Sequence, residues 1–76
     1  MFGKRLRELR MKHGLTQQKA ADLFSLALRS YQHYEGSDRQ PPFELIIKIA
    51  DYFNVSLDYL FGRDDFMKSF GVSAEE

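Results

Sequence analysis

The sequence predicts an all-α domain built from five short helices. Apolar residues recur at helical spacing along the chain, and none of the stretches between them has the strict alternation of a convincing strand. Glycine, proline and polar turn formers separate the helical stretches from one another. The predicted helices cover residues 4–13, 17–24, 27–35, 43–53 and 57–61.

The length and composition fit one small, self-sufficient domain. Chains of about 60 residues can fold alone, although they bury only about 60% of their unfolded surface. This chain has 76 residues, 43% of them hydrophobic, and seven phenylalanines to fill one core. It has no cysteine, which excludes thiol chemistry and cysteine zinc sites. Because it lacks both a long apolar run and a signal-peptide core, we expect a cytoplasmic protein without a membrane segment.

The net charge of zero hides an asymmetry between the two halves of the chain. Residues 1–39 hold eight basic and four acidic groups, whereas residues 40–76 hold three basic and seven acidic groups. This pattern predicts a basic face for a polyanion and an acidic face elsewhere. A solvated surface with chance clustering would give the same pattern.

Local signals place the ends of the helices. Gly14 is predicted to end the first helix in the left-handed conformation, and Thr16 to cap the second. Ser25 marks the break between the second and third helices. Ser56 is the predicted N-cap of the fifth helix and Gly62 its stop. Residues predicted to face inward are Phe2, Leu6, Leu9, Ala20, Ala21, Phe24, Tyr31, Tyr34, Phe43, Ile46, Ile47, Ala50 and Phe53.

The domain is predicted to cover residues 1–62, followed by a C-terminal tail over 63–76. The tail carries three large apolar residues, which could form one extra helical turn against the core or a partner: Phe66, Met67 and Phe70. Its polar end is predicted to be partly disordered.

Catalysis and metal binding find no support in the sequence. The chain has no nucleophile paired with a base, no glycine-rich phosphate loop and no close carboxylate pair with an evident pocket. His13 and His33 have no partner at the spacing of metal ligands. We therefore expect a protein that is not an enzyme and needs no cofactor.

A series of short motifs points to a known family. "LRELR" ends in Arg10, "GLTQ" leads into the second helix, and Ala21 lies near the middle of that helix. "YE" closes the third helix, Pro41 precedes the fourth, and "VSLDYLFG" ends the domain. Over residues 2–62 this pattern resembles the phage repressor and Cro-like helix-turn-helix family, often called XRE-like. The resemblance implies a lambda-repressor-like fold whose helix-turn-helix is formed by the second and third helices.

The resemblance also implies a function: a sequence-specific transcriptional regulator, most simply a repressor that occupies a double-stranded DNA operator. In this family the second motif helix enters the major groove, and dimers read half-sites about 34 Å apart. Family dimers typically form through the end of the domain made by the fourth and fifth helices, so a homodimer is expected. Carried over by position, the DNA-binding residues are Gln17, Gln18, Ala27, Leu28, Arg29, Gln32, His33 and Arg39.

The chemistry of the third helix fits this role. Arg29 can bond to O6 and N7 of guanine, and Gln32 offers the amide pair that suits adenine. Ala27 and Leu28 could meet thymine methyl groups, although packing against the core is an equal alternative for Leu28. His33 is the weakest anchor, because its imidazole carries no fixed positive charge. The competing interpretation is that this face is only solvated surface.

The resemblance implies a buried ion pair between Arg10 and Glu35 that links the first helix to the third. Two separately solvated charges are the alternative. The sequence departs from the family at Ser25 and Ser37, where glycine is usual, and at Asp38, where a basic residue is common. The loop contact to DNA is therefore expected from Arg39 and Gln40.

Two other functions remain open for a chain of this fold. A protein-interaction module that had lost DNA affinity would fit Asp38, the zero net charge and an exposed Leu28. An antitoxin would still bind DNA and would hold its toxin through the tail after Gly62.

Overall fold

The computed structural model describes residues 1–62, which form five α-helices. They are α1 (Phe2–Lys12), α2 (Gln17–Leu23), α3 (Leu28–Glu35), α4 (Phe43–Phe53) and α5 (Leu57–Leu60). The all-α prediction is confirmed, with boundaries shifted by one or two residues, a normal scatter for helix ends. None of these helices is long and apolar enough to cross a membrane. The tail predicted over 63–76 lies outside the described residues.

The helix ends follow the signals in the sequence. The hydroxyl of Thr16 accepts a hydrogen bond from the backbone N–H of Lys19 (3.1 Å), and Ser56 does the same for Tyr59 (3.0 Å). Each bond satisfies an amide that the first turn of a helix leaves without a partner. Gly14 has the positive φ (69°) that lets the chain turn away after α1.

The core lies where all five helices converge. Its buried apolar residues are Phe2, Leu6, Leu9, Ala20, Ala21, Phe24, Tyr31, Tyr34, Ile46, Ile49, Ala50, Phe53 and Leu60. In α4 the inward-facing prediction is confirmed for Ile46, Ala50 and Phe53. It was wrong for Phe43 and Ile47, which are 66% and 38% exposed, and it missed Ile49, which is fully buried. The inner stripe follows Ile46, Ile49, Ala50 and Phe53 at helical spacing, so Ile47 is turned away from the core by about 100° from Ile46. 

The first turn of α1 lies directly against the end of α3. A Cβ atom added to Gly3 would collide with the backbone carbonyl oxygen of Glu35, so any larger residue would push the two helices apart. This contact holds the beginning of the chain against the last residue of α3.

Three non-glycine residues among those described adopt a positive φ: Ser25 (57°), Ser37 (64°) and Asn54 (57°). We expect Ser25→Gly to raise the free energy of unfolding by about 0.5 kcal/mol, because relief of a left-handed strain of about 1–2 kcal/mol outweighs the extra freedom of an unfolded glycine. Urea denaturation measures the change.

The matched control for that substitution is Ser30→Gly, which lies inside α3. It should lower the free energy of unfolding by about 0.5 kcal/mol, since glycine is a poorer helix former than serine. A loss of stability in both variants would contradict the left-handed conformation of Ser25.

Candidate nucleic-acid interface

α2 and α3 form a compact helix-turn-helix. Ala20 and Ala21 are fully buried where the helices cross, and the small side chains allow the close approach. The chain reverses at Ser25, and the N–H of Leu26 donates to the carbonyl of Ala21 (2.8 Å). Ala27 has an extended backbone and is the N-cap of α3, whereas the sequence predicted it to be the first residue of the helix. The turn therefore fixes the direction in which α3 leaves α2.

α3 has one side in the core and the opposite side outside. Tyr31 is fully buried and Tyr34 is 8% exposed, so these two rings fix the rotation of the helix about its axis. At about 100° per residue, Arg29 and Gln32 fall on the side away from the two rings. Both are exposed. This geometry gives α3 an outward face with one cation and one amide.

Leu28 and His33 lie at the two margins of that outward face. Both are partly exposed, so Leu28 belongs neither to the fully buried core nor to the fully solvated surface. Ala27, before the helix, is exposed. The partly exposed side chain of Leu28 can therefore contact a partner while it also packs against the domain.

An ion pair beneath α3 joins it to α1. The Nε of Arg10 donates to Oε2 of Glu35 (2.6 Å), and the side chains are 13% and 5% exposed. Arg10 also donates through Nη1 to the carbonyl of Leu15 (2.9 Å), and the Tyr31 hydroxyl donates to Glu35 (2.6 Å). The pair expected between Arg10 and Glu35 is therefore formed, and Tyr31 completes it.

Hydrogen bonds and burial shift the pKa values of the three ionisable side chains in this cluster. Burial by itself would raise the pKa of Glu35, but hydrogen bonds from Arg10, Tyr31 and Gln17 outweigh it and hold the pKa below its usual value. The hydrogen bond to Glu35 raises the pKa of Arg10. Burial, and then the bond to Glu35, raise the pKa of Tyr31. Glu35 is thus a carboxylate and Tyr31 a neutral phenol at neutral pH.

The two glutamines at the start of α2 have different roles. Gln17 donates through Nε2 to Oε1 of Glu35 (3.0 Å) and accepts through Oε1 from Nε2 of Gln32 (3.1 Å). Gln18 donates to the carboxylate of Asp22 one turn along its own helix (3.0 Å). Gln17 therefore joins the buried cluster to the outward face, whereas Gln18 stays on the surface of α2.

The loop after α3 is tied back to the helix. Nδ1 of His33 lies 3.0 Å from Oδ2 of Asp38, and the hydrogen bond from His33 lowers the pKa of that carboxyl. Arg39 and Gln40 follow, both exposed. Asp38, which stands where a basic residue is common in the family, thus has a partner in α3, and the neighbouring cation of Arg39 is exposed.

Sequence reasoning missed several of these contacts, including one between α2 and α3 and one between α3 and the loop that follows it. Gln17 and Gln32 are fifteen positions apart, and only the crossing of α2 over α3 brings their amides together. His33 and Asp38 are five positions apart, at a distance set by the turn with Ser37 in the left-handed conformation. A histidine followed five residues later by an acid was the one available signal, and it is weak.

The sequence model of the helix-turn-helix family matches residues 6–60. The chain belongs to this family. The match includes all of α2 and α3 and most of α1. The predicted resemblance to Cro-like and phage-repressor helix-turn-helix proteins is thereby confirmed.

Relatives within this helix-turn-helix family are named as regulators. The chain is 39% identical over 67 residues to the HTH-type transcriptional regulator ImmR of Bacillus subtilis, covering 88% of this chain and 53% of ImmR. It is 39% identical over 59 residues to RstR, the transcriptional repressor of a cryptic CTXphi phage in Vibrio cholerae, covering 78% of this chain and 53% of RstR. The chain thus spans about half the length of these curated relatives.

A solved structure has the same helix-turn-helix fold. The crystal structure of a transcriptional regulator from Listeria innocua matches with a TM-score of 0.74 and 25% sequence identity. The match covers 99% of this chain and 79% of the other. The predicted fold class is therefore confirmed by an independent structure.

Proposed function

We propose that this chain binds duplex DNA sequence-specifically, with α3 in the major groove, and represses transcription by occupying an operator. The observation that carries the proposal is the outward face of α3. Arg29 and Gln32 are exposed on the side opposite the buried rings of Tyr31 and Tyr34, so the helix presents hydrogen-bonding groups from a fixed support. Family membership and relatives named as transcriptional regulators support the same conclusion.

Each exposed group has a matching partner on DNA. The guanidinium of Arg29 suits O6 and N7 of guanine, and the amide of Gln32 suits adenine. Gln17, Gln18 and Arg39 lie on the flanking elements, where contacts to phosphates would set the position of α3. We assign Leu28 and Ala27 to contacts with thymine methyl groups, and His33 to the far edge of the site.

Selection of sites from a random duplex library tests the proposal. We expect purified protein at about 0.1 M salt to enrich an inverted repeat with half-site centres about 10 base pairs apart. Affinity for the selected site should fall with salt, by about 0.9 in log K per unit log[salt] for each phosphate neutralised. A folded protein that enriches no sequence would contradict the proposal and would make the α3 face a surface for another protein.

The loop after α3 gives a second prediction. Asp38→Lys should raise affinity for all duplexes and steepen the salt dependence by about 0.9 in log K per unit log[salt], because the new cation replaces a carboxylate that opposes phosphate contact. Asp38 is 63% exposed, so its substitution should leave the fold intact. Fluorescence anisotropy over a salt series measures the slope.

The matched control for the loop variant is Asp51→Lys. Asp51 is exposed on α4, outside the helix-turn-helix, and its substitution changes the net charge by the same amount. An equal change of slope in the two variants would mean that overall charge, rather than the loop after α3, sets the effect.

The repressor acts as a homodimer formed through the end made by α4 and α5. Phe43 and Ile47 are one turn apart on α4 and are exposed, and α5, which packs on α4, exposes Leu57. Large exposed apolar groups on one part of a small domain are typical of protein–protein contact. Two copies would place two α3 helices on one face of the duplex, as an inverted repeat requires.

A charge placed in this apolar surface should separate the two copies. We expect Ile47→Asp to sediment as a monomer at concentrations where the unchanged protein is a dimer, because the carboxylate would have to be buried without a partner. Leu23→Asp is the control, since Leu23 is also exposed and apolar but lies on α2. Sedimentation equilibrium measures the molecular mass of each variant. If Ile47→Asp remained a dimer and Leu23→Asp became a monomer, the dimer interface would lie on α2 instead.

A further inference from the structure

The orientation of the Gln32 amide is set by the buried carboxylate of Glu35, to which it is connected by two successive hydrogen bonds through Gln17. Glu35 is ionised and can only accept hydrogen bonds. Its oxygens receive Nε of Arg10, the hydroxyl of Tyr31 and Nε2 of Gln17. Its side chain is 5% exposed, so these donors cannot be exchanged for water without cost.

This acceptor decides the orientation of the next amide. Oxygen and nitrogen of a glutamine amide have nearly the same shape, so hydrogen-bond partners determine which way the group faces. Gln17 must turn Nε2 toward Glu35 (3.0 Å), which leaves its Oε1 facing Gln32. The reverse orientation would set a carbonyl oxygen against a carboxylate.

The same logic then applies to Gln32. Because Gln17 offers an oxygen, Gln32 donates to it through Nε2 (3.1 Å). The carbonyl oxygen of Gln32 and the second N–H of its amide are left at the exposed surface of α3, an acceptor beside a donor. In the major groove adenine matches both groups, because its amino group donates and its N7 accepts, whereas guanine and thymine would set an oxygen against the oxygen of Gln32.

We infer that Gln17 is a positioning residue for sequence recognition: it turns the carbonyl oxygen of Gln32 outward, so that Gln32 selects adenine over guanine or thymine on the strand it contacts. This inference rests on the proposed DNA-binding function. Gln17 acts through Gln32, whatever contact it makes with the DNA backbone itself.

Site selection with three variants tests the base preference. Gln17→Met removes both hydrogen bonds and should reduce the preference at the base read by Gln32 from roughly fivefold or more to none. Gln32→Met should lose the preference at the same base. The preference at the base read by Arg29 serves as the internal control and should persist in both variants.

A third variant should reverse the preference. In Gln17→Lys the ammonium still donates to Glu35, but it offers Gln32 a donor in place of an acceptor. Gln32 should then turn its oxygen inward and its NH₂ outward, which favours guanine or thymine at that base. A purely structural role for Gln17 would not invert a base preference. Unchanged preference in Gln17→Met or Gln17→Lys would overturn the inference.

The orientation can also be measured without DNA. In NMR spectra of the free protein, the side-chain NH₂ of Gln32 should exchange with water more slowly than that of exposed Gln40, and Gln17→Met should remove the difference. Equal rates in the unchanged protein would overturn the inference. Slow exchange together with no selected DNA site would uphold the role of Gln17 in orienting Gln32 and refute the proposed function.

Discussion

Arg10→Met should lower the free energy of unfolding by about 3–5 kcal/mol. The cost arises because Glu35, with a side chain 5% exposed, would keep its charge and lose its cationic partner. Tyr31 and Gln17 would still donate to it, but neither carries a positive charge. Urea denaturation followed by circular dichroism measures the loss.

Two control measurements distinguish the loss of the ion pair between Arg10 and Glu35 from a general effect of removing a positive charge. Arg7→Met removes an exposed cation from the same helix and should change stability by no more than about 0.5 kcal/mol. The double variant Arg10→Met with Glu35→Gln should lose less than the sum of the two single variants, since no buried charge is left alone. Additive losses would mean that the two charges are solvated separately.

The same pair makes stability depend on pH with a definite sign. The pKa of Glu35 is lower in the folded than in the unfolded chain, where it is near 4.5. Its contribution is therefore complete above that value and is lost as the pH falls through the folded pKa. Between about pH 5 and pH 3, the unchanged protein should lose more stability than Glu35→Gln does.

Replacing Arg29 and Gln32 together with alanine should abolish the preference for the selected operator over random duplex. Each good bidentate contact discriminates by about 1–3 kcal/mol, and both of the exposed groups that can make one are removed. Binding to random duplex should persist, weakened by the loss of one cation, because phosphate contacts carry it. Competition of labelled operator against random duplex measures the ratio.

Lys4→Ala is the matched control for the double variant. Lys4 is exposed on α1, and its substitution removes one cation without touching the helix-turn-helix. It should leave the preference for the operator unchanged. If the Arg29 and Gln32 double variant retains that preference too, α3 is not the element that reads DNA.

The fold could be predicted well from local signals and less well where only geometry decides. Thr16 and Ser56 were recognised because the cap of a helix depends on a few neighbouring residues. The inward face of α4 was misjudged because this helix carries apolar residues on more than one side. Apolar character does not by itself imply burial, so Phe43 and Ile47 could not be told from core residues.

The candidate site divides in the same way. The pairing of Arg10 with Glu35 was anticipated because the family pattern places charges there. The link from Glu35 through Gln17 to Gln32 depends on how α2 crosses α3 in space, which no spacing along the chain encodes. The contact between His33 and Asp38 likewise depends on the turn at the end of α3.

Gln17 hydrogen-bonds both to buried Glu35 and to exposed Gln32. On the proposed function, these two bonds restrict how the protein could evolve to recognise a new DNA sequence. Arg29 is exposed on α3, so on the proposed function a mutation there would alter recognition while the interior stays intact. A mutation of Gln17 changes the neighbour of a buried carboxylate at the same time as it changes the neighbour of Gln32. On the proposed function, drift toward new operators should therefore run through exposed positions of α3 first, and change at residue 17 should be rarer.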